Sequence, residues 1–166
     1  MVEPIKIKNY DNSETGCCAR WNVNKWDKKT FKWKNKLFVK DHVTSVFHIP
    51  LNFGKVVVRV FDKLNKADAF PKDHIWFNDE NSLWGSDYYV AVTKEVPGAD
   101  NVKLSGTFMT KTFEGPFKDM GKWTKDMEEY VKSKKKTVKK MYYCYTTCPK
   151  CAKTFGKNYV VLFAQV

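Results

Sequence analysis

The stretch VKLSGTFMTKTFEGPFKDMGKWTKDMEEYVKSKKK, residues 102–136, combines the signals of a strand and of a helix. Residues 104–114 are rich in Thr, Phe and Met, which predicts a strand. Gly115-Pro116 then opens a helix, because proline is favoured at the first helical position. The following apolar residues recur every three or four positions and predict the buried face of that helix: Phe117, Met120, Trp123, Met127, Tyr130 and Val131.

The residues upstream of this stretch predict the same types of element. Residues 37–49 have a strand pattern, and apolar residues between Val56 and Leu64 lie at helical spacing. Residues 73–77 predict a short strand, residues 78–85 a turn-rich loop, and residues 88–96 a buried strand. The upstream order is therefore strand–helix–strand–strand.

The residues downstream complete a second set with that order. Residues 138–146 alternate between two faces and residues 159–166 form a continuous apolar run, so both predict strands. We therefore expect an α+β fold of duplicated strand–helix–strand–strand modules, about 37–97 and 103–166, with antiparallel sheet and a groove between the halves. Residues 1–36 are expected to form an N-terminal arm whose tryptophans pack on the domain.

Length and composition exclude several classes of protein. With 166 residues and an aromatic fraction of 16%, the chain is expected to fold with a substantial core. It contains no run of about 20 apolar residues of the kind that spans a membrane. The N-terminal residues lack the pattern of an export signal, so we expect a cytoplasmic protein with reduced cysteines and no association with membranes.

The positive charge of the chain is carried almost entirely by lysine. The net charge is +12, and Arg20 and Arg59 are its only arginines. Arginine is the usual residue for bidentate contacts to phosphate and guanine. We therefore interpret the excess as a solvated lysine-rich surface and do not expect nucleic-acid binding as a main role.

Three segments of the sequence resemble the GyrI-like small-molecule-binding domain. Residues 102–136 resemble its strand, Gly-Pro-aromatic turn and Trp-bearing helix. YYVAVTKEVPGADNVKLSG, residues 88–106, is similar to its preceding strand and connector. KKMYYCYTTCPKCAKTFGKNYVVLFAQV, residues 139–166, stands where the family has its last hairpin.

The resemblance implies a ligand groove lined by aromatic side chains. Members of that family include sensor domains for bulky, often cationic aromatic compounds, a DNA gyrase inhibitor, and hydrolases that open reactive cyclopropane rings. The family's ligand-binding Glu lies in a Glu-aliphatic-Tyr stretch, and the alignment puts Tyr143 at the Glu position and Tyr145 at the Tyr position. The carboxylate is missing here, so recognition would depend on tyrosine faces.

Aromatic and acidic residues are the candidates for this site. The predicted ligand-binding residues are Trp84, Tyr88, Trp123, Tyr143 and Tyr145. The alternative for each is ordinary core packing, and for Trp123 we favour it.

Glu114 and Glu95, each at a predicted strand end, are the candidate catalytic residues, because a hydrolase needs a group that activates water or assists bond opening. The alternative is an exposed carboxylate without catalytic role, which we favour. His48 is a candidate base, although a hydrogen-bonded core histidine is the favoured interpretation.

The five cysteines suggest a metal site. Cys148-Pro-Lys-Cys151 is a CxxC motif and Cys17-Cys18 an adjacent pair, and four thiolates could close a structural Zn²⁺ site that fastens the arm to the last hairpin. A thioredoxin-like redox pair and reactive free thiols are the alternatives.

Three functions remain open at this stage. The first is binding of a hydrophobic or aromatic small molecule, with no cofactor required. The second is a hydrolase that opens strained or electrophilic rings of small toxic compounds. The third is a zinc-stapled interaction protein with a protein partner. The sequence contains no P-loop, GxGxxG, HExxH or GxSxG motif that would favour nucleotide, zinc-protease or serine-hydrolase chemistry.

Overall fold

The computed structural model describes residues 14–15 and 18–166. The chain forms two compact units. Asn35–Leu104 belong to unit 1, and the described residues up to Lys34 form unit 2 with Ser105–Val166. In chain order the elements are α1 (Val23–Trp26), β1 (Thr30–Val46), β2 (Ile49–Pro50), α2 (Phe53–Ala67), β3 (Trp76–Ser82), β4 (Gly85–Ala91), β5 (Asp100–Glu114), a 3₁₀ turn (Phe117–Asp119), α3 (Met120–Ser133), β6 (Lys140–Tyr145), α4 (Pro149–Phe155) and β7 (Tyr159–Gln165).

Unit 1 is an antiparallel sheet covered by α2. Its strands lie in the order β2-β1-β4-β3, with Val39 of β1 opposite Val90 of β4. The apolar face of α2 packs on this sheet through side chains that include Val56, Val60 and Leu64, each at most 1% exposed. Burying a side chain of this size stabilises the fold by about 1.5–3 kcal/mol, so the helical spacing of these residues determines which face of α2 meets the sheet.

Unit 2 is a three-stranded antiparallel sheet with a cover on each face. Its strands lie in the order β6-β7-β5. On one face, α3 packs through Trp123, Met127 and Val131 against residues of all three strands. On the other face, Trp26 contacts Phe163 of β7, with ring centroids 6.1 Å apart.

Hydrogen bonds from the backbone of β5 hold the N-terminal segment within unit 2. The N–H of Thr110 donates to the carbonyl of Lys29 at 2.9 Å. The N–H of Thr112 donates to Oδ1 of Asp27, also at 2.9 Å. Residues 26–34 are therefore structured, and β1 begins at Thr30 rather than at the predicted residue 37.

The mixture of helices and antiparallel strands confirms the α+β class. Helix α2 includes the residues whose spacing predicted it, and α3 includes all of its predicted residues except Phe117, which lies in the preceding 3₁₀ turn. Unit 2 contains an additional short helix, α4. The predicted loop at 78–85 is wrong, because residues 76–82 form β3. β3 buries the polar side chains Asn78 and Asp79, so its sequence does not alternate between apolar and polar residues as a half-buried strand usually does. The duplication of the modules and the groove between them stay predictions.

No helix in the described part of the chain has the length and apolar character needed to cross a bilayer.

Candidate functional site

Unit 2 places Tyr143 and Tyr145 on the sheet face that α3 covers. Phe113 of β5 lies opposite Val160 of β7, which in turn lies opposite Tyr145 of β6. Two residues along, Leu162 lies opposite Tyr143. Because directly paired residues of antiparallel strands point to the same face, both tyrosines share a face with Phe113, and their rings pack at the edge of the α3 core.

The hydroxyl of Tyr143 lies against the edge of α3. Thr124 Oγ1 donates to the carbonyl of Met120 at 2.9 Å and lies 3.2 Å from Tyr143 Oη. A threonine hydroxyl has a single hydrogen, so Tyr143 is the donor in the second contact. This bond fixes the orientation of a half-buried tyrosine at the border between the core and solvent.

Beside these hydroxyls lies an open position on the helix. The ring of Tyr145 meets the 45%-exposed ring of Phe117 edge-on, with centroids 5.6 Å apart. Gly121 lies between Phe117 and Thr124 at helical spacing, and a Cβ added there would meet no atom within 4 Å. We call the surface formed by Phe117, Gly121, Thr124, Tyr143 and Tyr145 the Tyr143 face.

Trp123 lies beneath α3 in the core of unit 2. It is 5% exposed and stacks on Phe113, with ring centroids 5.8 Å apart and planes 19° from parallel. A Cβ at Gly115 would come within 3.2 Å of the Trp123 ring, and Gly115 has a φ of +143°. The Gly-Pro turn before α3 therefore needs glycine both for its backbone and for the approach of Trp123.

The two candidate carboxylates are both exposed. Glu114 is the last residue of β5 and lies opposite Tyr159. Since successive side chains of a strand alternate, Glu114 points to the face opposite to Phe113, away from the Tyr143 face. Glu95 belongs to unit 1 and lies in the connection between β4 and β5.

The other two aromatic candidates belong to unit 1. Tyr88 is 2% exposed and packs edge-on against Phe53 in the core, at 5.3 Å. Trp84 is 59% exposed in the β3–β4 turn and contacts the exposed ring of Phe47. His48 is exposed in a turn with a φ of 64°, so the interpretation of His48 as a core histidine is wrong.

Three of the four predicted metal ligands lie together in unit 2. The sulfurs of Cys18, Cys148 and Cys151 all lie within 4.8 Å of one another and could hold a metal ion. Cys17 lies outside the described residues. No pattern in the sequence indicates that Thr15 is near this cluster, yet Thr15 Oγ1 lies 3.4 Å from Cys151 Sγ, within hydrogen-bond distance.

The environment of the cluster favours a thiolate at Cys151. Burial raises the pKa of the Cys151 thiol, but hydrogen bonds with Thr15, Cys148 and Cys18 lower it by more in total. The pKa consequently falls from 9.0 to about 7. A substantial fraction of Cys151 is then deprotonated at neutral pH, as a nucleophile or metal ligand requires.

A small cavity in unit 1 was not predicted from the sequence. It measures about 180 Å³, and its lining includes Asp41, Arg59, Lys63 and Asp100. Arg59 binds Asp41 with two hydrogen bonds of 2.8 Å. Burial raises the pKa of the Asp41 carboxyl, but the bonds from Arg59 and the N–H of His42 lower it by more in total. Five of the eight lining residues are charged, so the walls are more polar than is typical of a site for an aromatic compound.

Comparison with known proteins gives a family and a shared fold. A family model described as "Bacterial hydrolase" matches residues 8–166. A crystal structure of a hydrolase from Listeria innocua has a TM-score of 0.57 and 10% identity, covering 84% of this chain and 91% of that one. A further hydrolase structure from Listeria innocua has a TM-score of 0.56 with the same identity and coverage. At this identity the likeness shows the fold alone. Among curated proteins no sequence matches the chain.

Proposed function

Because the chain belongs to the bacterial hydrolase family, we propose that it hydrolyses a hydrophobic small molecule with a flat ring, bound on the Tyr143 face. The observation that carries this proposal is a pair of contacts beside α3: the ring of Tyr145 meets the exposed ring of Phe117, and the hydroxyl of Tyr143 meets that of Thr124. Gly121, at helical spacing from Phe117 and Thr124, leaves this edge of the helix without a side chain. Mostly apolar walls with a few well-placed polar groups are typical of small-molecule sites.

Ring contacts supply the binding energy in this proposal. A flat ring placed at Gly121 would contact Phe117 and Tyr145, and each aromatic contact contributes about 0.5–1.5 kcal/mol beyond the burial of area. A cationic ring would be attracted to the same tyrosine faces by about 0.5–1 kcal/mol at an exposed site. By its resemblance to the GyrI-like family, Tyr143 takes the place of a carboxylate. A cationic ligand would therefore find no negative charge at this position, and the face would bind neutral aromatic compounds as well.

Tyr143 is the residue of this face that can assist the chemistry. In hydrolysis the hydroxyl of water bonds to the electrophilic carbon, and the remaining hydrogen ends on the leaving atom. The Tyr143 oxygen, whose own hydrogen is donated to Thr124, can accept a hydrogen bond from the attacking water and orient that water. The hydrogen bond to Thr124 holds the Tyr143 hydroxyl in place, which lowers the entropic cost of positioning it for the reaction.

The carboxylates named from the sequence have a smaller part in this proposal. Glu114 points to the opposite face of the sheet, so its side chain cannot reach a ligand at Gly121 directly. We therefore expect E114Q and E95Q to retain most of the activity, whereas Y143F should lose most of it. If E114Q or E95Q lost the activity and Y143F kept it, a carboxylate and not Tyr143 would be the catalytic residue.

The test is turnover of aromatic compounds that carry a strained or electrophilic ring, such as aryl epoxides and aryl cyclopropyl ketones. Wild-type protein at a small fraction of the substrate concentration is expected to consume many equivalents. Y143F should lower kcat/KM by about tenfold, since one lost hydrogen bond in the transition state is worth about 1.4 kcal/mol. The matched control is Y142F, because Tyr142 is the adjacent residue, is 3% exposed and points to the other face of β6.

Two results would contradict the proposal. Equal activity of Y143F and wild type would remove Tyr143 from the site. Consumption of a single equivalent of the compound would exclude catalysis and favour the second candidate function, sequestration of the ligand by a GyrI-like binding domain. That candidate is favoured by the missing carboxylate at position 143, and it predicts tight one-to-one binding without product.

A further inference from the structure

The three clustered cysteines come from two segments of unit 2 that are far apart in the sequence. Cys148 precedes α4 and Cys151 lies in its first turn. Their spacing of three residues puts both sulfurs on one side of that turn. Cys18 is 130 residues from Cys148 along the chain, yet its sulfur lies within 4.8 Å of both others.

Backbone groups already orient two of the three sulfurs. The N–H of Cys148 donates to Cys18 Sγ, and the N–H of Cys151 donates to Cys148 Sγ, each at 3.5 Å. Such outer contacts stabilise a negative sulfur and fix its direction, as they do around protein metal ligands in general. The arrangement therefore suits three thiolates that converge on one point.

We propose that Cys18, Cys148 and Cys151 bind one Zn²⁺ ion as thiolates and that this ion fastens the segment around Cys18 to α4. With Zn–S bonds of about 2.3 Å, sulfurs of a tetrahedral site lie about 3.8 Å apart, so the cluster needs shifts of only about 1 Å to close. Thiolate ligands select zinc over calcium and magnesium, which require oxygen ligands.

The function of this ion is structural. Cys18 and Cys148 bound to one ion close a loop of 130 residues, and a cross-link over so long a loop removes much of the entropy of the unfolded chain. The Zn²⁺ site does not depend on the proposed hydrolase activity, because the Tyr143 face contributes none of the three sulfurs. Metal content therefore tests it whether or not the chain hydrolyses anything.

The experiment measures zinc in the full chain purified under reducing conditions without chelating resin. We expect about one Zn²⁺ per chain, bound again after chelation and addition of Zn²⁺, and a sulfur-to-metal charge-transfer band after exchange with Co²⁺. Removing the ion from wild type should lower Tm by roughly 5–10 °C. C18S, C148S and C151S should each lose the metal, whereas the matched control C144S should keep it, because the buried Cys144 lies in β6 outside the cluster.

Three outcomes would overturn the proposal. Reduced wild-type protein with all five thiols titratable in the presence of added Zn²⁺ would exclude the site. A disulfide between Cys148 and Cys151 that forms equally fast with and without Zn²⁺ would identify a redox pair. A Co²⁺ complex without the charge-transfer band would place the metal on oxygen or nitrogen ligands, and this measurement on wild type remains decisive if a cysteine variant fails to fold.

Discussion

Replacing Gly121 by alanine should stabilise the protein and weaken ligand binding at the same time. Gly121 is the second residue of α3, and a Cβ there would meet no atom within 4 Å. Alanine is favoured over glycine in helices by up to about 1 kcal/mol, and near a helix end we expect about half of that. For a chain of this length such a gain raises Tm by about 1–2 °C.

The same methyl group occupies the open position of the Tyr143 face. A ligand that lies flat against the helix at residue 121 would be displaced, and inserting one methyl group into a fitted contact costs about 1–3 kcal/mol. G121A should therefore bind the ligand about 5- to 150-fold more weakly. The loss should appear in KM or Kd, while the hydroxyls of Tyr143 and Thr124 stay in place.

Gly54 supplies the matched control. It is the second residue of α2 in unit 1, and a Cβ there also meets no atom within 4 Å. G54A should give a similar small rise in Tm with unchanged binding. Thermal unfolding and a titration followed by tryptophan fluorescence measure both quantities on both variants. If G121A and G54A bind the ligand equally well, the Tyr143 face is not the site.

The remaining predictions concern the Gly-Pro turn, an ion pair and the cysteines. G115A should destabilise the protein by about 2–4 kcal/mol, because a φ of +143° suits only glycine and the new Cβ lies 3.2 Å from Trp123; an unchanged urea midpoint would contradict this. D41N should lower stability at pH 7 by less than about 1 kcal/mol, since the bond to Arg59 is partly exposed. The pKa of Asp41 is lowered in the folded state, so the stability difference between wild type and D41N is fully present above the unfolded pKa of about 4. It disappears as the pH falls through the pKa of Asp41 in the folded protein. Urea midpoints that differ equally at pH 7 and pH 2 would contradict this prediction. C17S should weaken Zn²⁺ binding at least tenfold if Cys17 is the fourth ligand predicted from the sequence, and metal competition titrations that show an unchanged affinity would assign that position to another group.

The two long helices could be predicted because their burial is periodic. Val56, Val60 and Leu64 in α2 and Trp123 and Met127 in α3 are core residues of amphipathic helices, and no long-range information is needed to find them. The strands β5 and β7 were recognisable from their apolar and β-branched residues. Pro149 and Gly156, at the two ends of α4, are common helix boundary residues, but the seven residues of α4 are too few for a periodic signal.

Strand β3 and the arrangement of the candidate site could not be predicted from the pattern of polar and apolar residues. β3 buries Asn78 and Asp79, so its burial pattern contradicts the polarity of its residues. Glu114 was named as a catalytic candidate because it ends a strand, but only the register opposite Tyr159 shows which face it occupies. In the sequence, Gly121 is only a weak helix former within a helical pattern, and its role in the proposed site depends on the position of Tyr143 on another element.

Two of the three cysteines in the cluster could be predicted to lie together, because they are close in the sequence. The CxxC spacing of Cys148 and Cys151 is local, so two sulfurs on one side of a turn could be expected. The approach of Cys18 depends on the fold, because the N-terminal segment must first pack along unit 2 through Trp26.

The most direct test of the hydrolase proposal is the fate of the water oxygen. Wild-type protein is given an aryl epoxide or aryl cyclopropyl ketone in ¹⁸O-labelled water, and the product is analysed by mass spectrometry over many turnovers. The account predicts one ¹⁸O atom in each product molecule, formed much more slowly by Y143F than by Y142F. Product without the label, or the same labelled product at the same rate with and without protein, would show that this chain does not add water to its ligand.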